Sequence, residues 1–156
     1  MTAISRAGVI RSLFVAPTAA MFAFGDARAQ ATKPHRAVIQ VDQNDPEVMN
    51  IALNNARNLL DYYRDKGEDI DLEIVAYGPG LHMLRDDTSP VKERIKELSA
   101  VSFPSKIVFS ACNNTKQMME RREGHRITIV PQATIVPTGV ARIMELQEQG
   151  YSYVKP

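Results

Sequence analysis

The chain has 156 residues, 44% of them hydrophobic and 24% charged, with a formal net charge of +1. That is the balance of one globular domain plus a processing segment. With no tryptophan and no basic excess or aromatic run among basic residues, the composition argues against a nucleic-acid-binding surface.

The first residues differ from the rest. Arg6 and Arg11 give a weakly positive start, and Ser12 to Phe24 is an uncharged apolar stretch. Small-residue cleavage patterns follow at Ala27-Arg28-Ala29 and Ala29-Gln30-Ala31. This layout predicts a secretory signal peptide over residues 1–29, cleaved near Ala29 or Ala31, and a periplasmic mature protein. The apolar stretch falls short of the roughly 20 residues that span a bilayer, so no stable membrane insertion is expected after cleavage. The arginines are not adjacent, which does not support a twin-arginine signal. Removal of residues 1–29 takes away Arg6, Arg11, Arg28 and Asp26. Lys+Arg then falls from 19 to 16 and Asp+Glu from 18 to 17, a mature charge of about −1.

Arg36 to Val41 reads as a strand. Asp45 is the expected cap of a helix over Pro46–Lys66, with Pro46 in its first turn and Gly67 as its stop. Val48, Ile51, Ala52, Ala56, Leu59, Leu60 and Tyr63 repeat at helical spacing on one face. Leu72 to Tyr77 is the second strand, broken by Gly78-Pro79-Gly80, with a short helix starting near Leu81. Ser89 is expected to cap a helix from Pro90 to Ser99. Lys106 to Ser110 is the third strand, ending at Cys112, and Asn113 or Asn114 is the expected cap of a helix stopped by Gly124. Arg126 to Val130 is expected as a fourth strand. A proline-punctuated stretch from Pro131 to Pro137 then leads to a last helix, with Val140, Ile143, Met144 and Gln147 on its buried face. Tyr151 to Val154 reads as a final short strand. This alternation predicts an α/β fold in one domain, with a mostly parallel sheet of about five strands covered by helices on both sides.

Parallel sheets bind ligands at the carboxyl ends of their strands. Three such ends converge here if the strands are parallel: Asp42-Gln43-Asn44, Tyr77-Gly78-Pro79-Gly80 and Cys112-Asn113-Asn114. The glycine pair either lets backbone N–H groups approach a ligand or forms a turn with special backbone angles. Cys112 is the one cysteine in the chain, so an internal disulfide is impossible. A free cysteine is either a small inert core residue or, at a helix start, a reactive thiol. The polar residues after it and Lys116 one turn on favour the second use. His82 is a candidate base for it, with a loop histidine as the alternative. Clusters such as Glu120-Arg121-Arg122-Glu123 read as solvated helix faces. No metal-ligand spacing or dinucleotide fingerprint occurs, and no cofactor is expected.

Three blocks in order carry a family resemblance: Ala76-Tyr77-Gly78-Pro79-Gly80, Cys112-Asn113-Asn114-Thr115, and Val136 to Arg142 leading into Glu145 to Tyr151. Over about residues 36–156 the chain resembles the DsrE/DsrF-like proteins of the DsrEFH superfamily. The resemblance implies a three-layer α/β/α sandwich that forms homo-oligomers, trimeric or hexameric. It also implies transfer of sulfur as a persulfide on a cysteine, here Cys112, with a protein donor or acceptor as partner. The Tyr77–Gly80 turn and Asn113-Asn114 are the matching candidate binding residues. The alternative is a non-catalytic oligomeric binding protein in which Cys112 is buried.

Overall fold

The computed structural model describes residues 35–156; the expected signal peptide lies outside them. Strand β1, His35–Val41, leads through Asp45 into helix α1, Pro46–Asp65. The Asp45 carboxylate accepts from the Glu47 N–H at 2.8 Å, satisfying one of the free donors at the helix start. Gly67, at φ +70°, reverses the chain into β2, Ile70–Ala76. A 3-10 segment, Gly78–Leu84, takes in the whole glycine turn. Helix α2 is Lys92–Ala100, β3 is Lys106–Cys112 and α3 is Asn113–Glu123. Strand β4 is Ala133–Val136, α4 is Gly139–Glu148 and β5 is Ser152–Val154.

The five strands lie in the order β4-β3-β2-β1-β5, and every pair is parallel. The chain steps one way from β1 to β4 and then returns past β1 to β5. Crossovers of one hand put α1, α2 and α3 on one face and α4, whose connection reverses direction, on the other. The two cores follow that division. Ile39, Ile74 and Phe109 of the sheet pack with Met49, Leu53, Ile95 and Met119 on the three-helix face. Val38 and Val75 pack with Ile143 and Leu146 of α4 on the other. Each such side chain, removed from water, contributes about 1.5–3 kcal/mol before chain entropy is set against it. The expected three-layer α/β/α sandwich is the fold observed. Among the described residues no helix is long and apolar enough to cross a membrane.

Three local expectations are corrected. Arg126–Val130 is not a strand of the sheet. Its backbone bonds run to the end of the 3-10 segment instead: Val130 N–H to Leu84 O at 2.9 Å, and Thr128 O from Asp86 N–H at 2.8 Å. Ile127 and Val130 are buried there, which accounts for their apolar character. The fourth strand is the proline-flanked stretch 133–136, where Pro131 and Pro137, lacking N–H donors, stand just outside the ladder. On α4, Val140 and Met144 are exposed at 52% and 59%, and the buried face is Gly139, Ile143 and Leu146. The Ser89 hydroxyl bonds Met83 O and the Val91 N–H, but α2 begins only at Lys92, without a side-chain cap.

The charged run on α3 is likewise more than a solvated face. Glu123 holds the buried guanidinium of Arg85, with both its oxygens at 2.8 Å, while Asp87 grips the same group at 2.9 and 2.6 Å. These bonds hold the Glu123 and Asp87 carboxyls below their usual range.

Candidate functional site

The carboxyl ends of β1, β2 and β3 share one edge, with Val41 beside Ala76 and Ala76 beside Ala111 in register. Cys112 follows Ala111 and is itself the residue that caps α3; neither Asn113 nor Asn114 does so. The sulfur thus takes the place where a serine or aspartate oxygen normally meets the first free N–H groups of a helix. The sulfur makes no conventional side-chain capping hydrogen bond there.

Cys112 is 4% exposed. Burial disfavours its thiolate. That effect is outweighed by the Thr115 hydroxyl and the N–H groups of Thr115, Gly139 and Asn114, which leave the thiol below its ordinary pKa. Gly139 is the first residue of α4, so the sulfur lies between two helix amino ends, one from each face of the sheet. The Asn114 N–H also donates to Pro137 O at 3.3 Å, tying the start of α3 to the loop that enters α4.

Thr115 is buried and makes a second connection. Its Oγ1 accepts the Gly78 N–H at 2.9 Å. A hydroxyl has one proton to donate; with Gly78 as donor, that proton remains free to turn toward Sγ. Gly78 lies at φ +52°, in the left-handed region that favours glycine. Its N–H is committed to Thr115, so the glycine turn serves first to hold the thiol's surroundings. Pro79 opens the 3-10 segment. Gly80 is buried against the end of β1, with no room for a side chain. Tyr77, half-buried, packs its ring on Gly139, where an added Cβ would stand 2.8 Å from the Tyr77 Cβ. Burial, then the nearby Asp42 and Tyr153, push the Tyr77 hydroxyl pKa up.

Asp42 also lies at this edge, in a network that reaches β5. Gln40 Nε2 donates to Asp42 at 2.8 Å, Tyr153 OH donates to Gln40 at 2.6 Å, and Lys155 lies 3.3 Å from Asp42. Asn113 is half-buried and Asn114 exposed. His82 does not serve the thiol: its Nδ1 is paired with the Thr88 hydroxyl at 2.8 Å. Lys116 is bound to Glu120 at 2.6 Å, not directed at the sulfur.

Gly78 and Pro79 line a cavity of about 280 Å³ together with Asn44, His82, Met118 and Arg122. A larger cavity of about 520 Å³ lies at the opposite, amino edge of the sheet, beside His35, Tyr63 and Ser152. Cys112 lines neither. Among the described residues, no group of three His, Cys, Asp or Glu side chains could hold a metal ion.

Thr115 and Gly139 were not singled out from sequence as site residues. Thr115 carries a readable signal, a hydroxyl three positions after a helix-capping residue. Gly139 carries none locally, because α4 reaches the thiol only through the reversal of the chain.

No protein-family model matches the chain, and no curated protein matches it. Among solved structures it is similar to a protein of unknown function, MTH1491, from Methanobacterium thermoautotrophicum. The two are 28% identical, with a TM-score of 0.65, over 78% of this chain and 99% of that one. This likeness bears on the α/β fold.

Proposed function

We propose that this protein is a DsrE-like sulfur carrier that works in the periplasm and holds a persulfide on Cys112. The observation that carries the reading is the sulfur's position between the amino ends of α3 and α4, with its pKa lowered. The thiolate attacks the outer sulfur of a persulfide donor. The donor's S–S bond breaks as a new one forms on Cys112, and the donor leaves as a thiolate. The exchange needs no external oxidant. The N–H groups that favour the thiolate also suit the terminal anion of a bound persulfide.

Intact-mass analysis after incubation with a persulfide donor is expected to show a gain of about 32 Da, one sulfur atom, that reducing agent removes. Absence of the adduct, or its survival in Cys112→Ser, overturns the reading.

The 4% exposure of Cys112 favours a second reading: a non-catalytic, homo-oligomeric protein that binds a small ligand or partner and keeps the thiol closed. Fast alkylation of the native protein at mild pH supports the carrier, whereas protection until unfolding supports the second reading.

Either reading goes with a homo-oligomer, a trimer or hexamer. Among the described residues one helix covers the α4 face, and Val140 and Met144 on that helix are exposed, as is Ile135 on the edge strand β4. Light scattering at micromolar concentration is expected to report more than one subunit. A monomer at that concentration contradicts the assembly.

A further inference from the structure

Glu73 is a carboxylate in the middle of a central strand, 2% exposed. Its oxygens are fully engaged. Ser110 Oγ donates to Oε1 at 2.6 Å, Arg142 Nε to Oε1 at 2.7 Å, and Arg142 Nη2 to Oε2 at 2.7 Å. A buried ion pair adds little stability over an apolar pair of the same volume, because both ions give up their water. What it does supply is geometry. Two planar forks meet in one arrangement, and sliding either element breaks both bonds.

The placement of the fork gives that geometry a use. Arg142 lies three residues, nearly one turn, after Gly139, so the fork fixes the first turn of α4. Ser110 lies two residues before Cys112 on β3 and points to the same face of the sheet. The anchor and the thiol thus belong to the same strand and the same helix end. Tyr77 closes the arrangement from above, packed on Gly139 where no Cβ fits.

We propose that Glu73 and Arg142 are positioning residues: their buried fork holds the amino end of α4, and with it the Gly139 N–H, against Cys112 Sγ. The functional meaning of this rests on the reading of Cys112 as a nucleophile; the positioning itself does not. The groups around the thiol are Tyr77, just after β2, and Thr115 from α3, with Asp42 and Lys155 beyond Tyr77. Glu73 and Arg142 are the charges from β2 and α4, and Glu145 lies 3.8 Å from Arg142. Because the fork is a neutral pair, removing both charges together acts on the thiol through position rather than through net charge.

The test is a pH titration of thiolate ultraviolet absorbance in the native protein, referenced to Cys112→Ser, for two variants. Glu73→Leu with Arg142→Met keeps volume and net charge and removes the fork. Arg142→Lys keeps the charge and loses the planar, two-bond grip. Both are expected to titrate with the midpoint shifted upward from wild type while circular dichroism stays native. A wild-type midpoint in Arg142→Lys, or in the folded double variant, overturns the proposal. The readout uses no sulfur donor, so a wild-type protein that fails to load sulfur sinks the carrier and leaves this result standing.

Discussion

Gly80→Ala is expected to lose about 3 kcal/mol of stability, a large share of the roughly 5–15 kcal/mol a folded domain holds. The added methyl would overlap the Val41 carbonyl oxygen. It would also stand 2.5 Å from the carbonyl carbon and 2.8 Å from the Asp42 Cα. All of these are backbone atoms at the end of a central strand, so no rotamer change relieves the overlap. Gly67 supplies the contrast. It sits at φ +70° with nothing within 4 Å of an added Cβ, so Gly67→Ala costs only the left-handed backbone penalty of about 1–2 kcal/mol. Chemical denaturation of the two variants checks the ordering. Equal losses would falsify the close-approach argument. The stake is functional as well as structural, because the Gly80 contact seats the 3-10 segment that delivers the Gly78 N–H to Thr115.

Thr115→Val is expected to raise the pKa of Cys112 and slow its alkylation at neutral pH. Valine keeps the shape and removes the hydroxyl, so the thiolate loses the foremost of the groups that favour it. The Gly78 N–H also loses its acceptor, at a cost of about 1–3 kcal/mol for a buried donor left unpaired. Thr115→Ser, which restores the hydroxyl, is expected to recover both. The pH dependence of stability has a definite sign. In wild type the folded thiol has a pKa below its unfolded value. Its contribution is present in full above the unfolded pKa and is lost as pH falls through the folded one. Thr115→Val narrows that gap, so the stability difference between the two proteins grows as pH rises through this window. A Thr115→Val titration curve that overlays wild type would remove the hydroxyl from the account.

Much of the layout was readable from residue patterns because local and tertiary signals agreed. Asp45 and Pro46 start α1 as their chemistry requires, and Gly67 and Gly124 mark helix ends with left-handed angles. The position of Cys112 at the carboxyl edge followed from strand alternation alone. Misreadings arose where burial did not come from the element assumed. Ile127 and Val130 are apolar because they pack under the 3-10 segment, so a strand-like run was not a strand. β4 was hidden because an edge strand between two prolines is short and half-exposed, without the apolar density of a central one. Val140 and Met144 suggested a buried face on α4, but among the described residues no second helix packs over that side of the sheet, and they stand exposed. Glu73 did leave a trace, a single charge inside the apolar run from Leu72 to Tyr77. A carboxylate there demands a buried partner, but nothing local names Arg142, which lies far along the chain.

The reversal that places α4 opposite the other helices has a consequence for the order of events during synthesis. The chain emerges amino end first, and Cys112 is made well before Gly139. Until the last helix and β5 are in place, the sulfur has one helix end instead of two and lacks the strut from Glu73 to Arg142. An emerging chain therefore carries a more ordinary, less ionised thiol, one that burial does not yet cover. The surroundings that lower the Cys112 pKa are complete only as the fold closes, so the last-made helix sets the chemistry of a strand made much earlier.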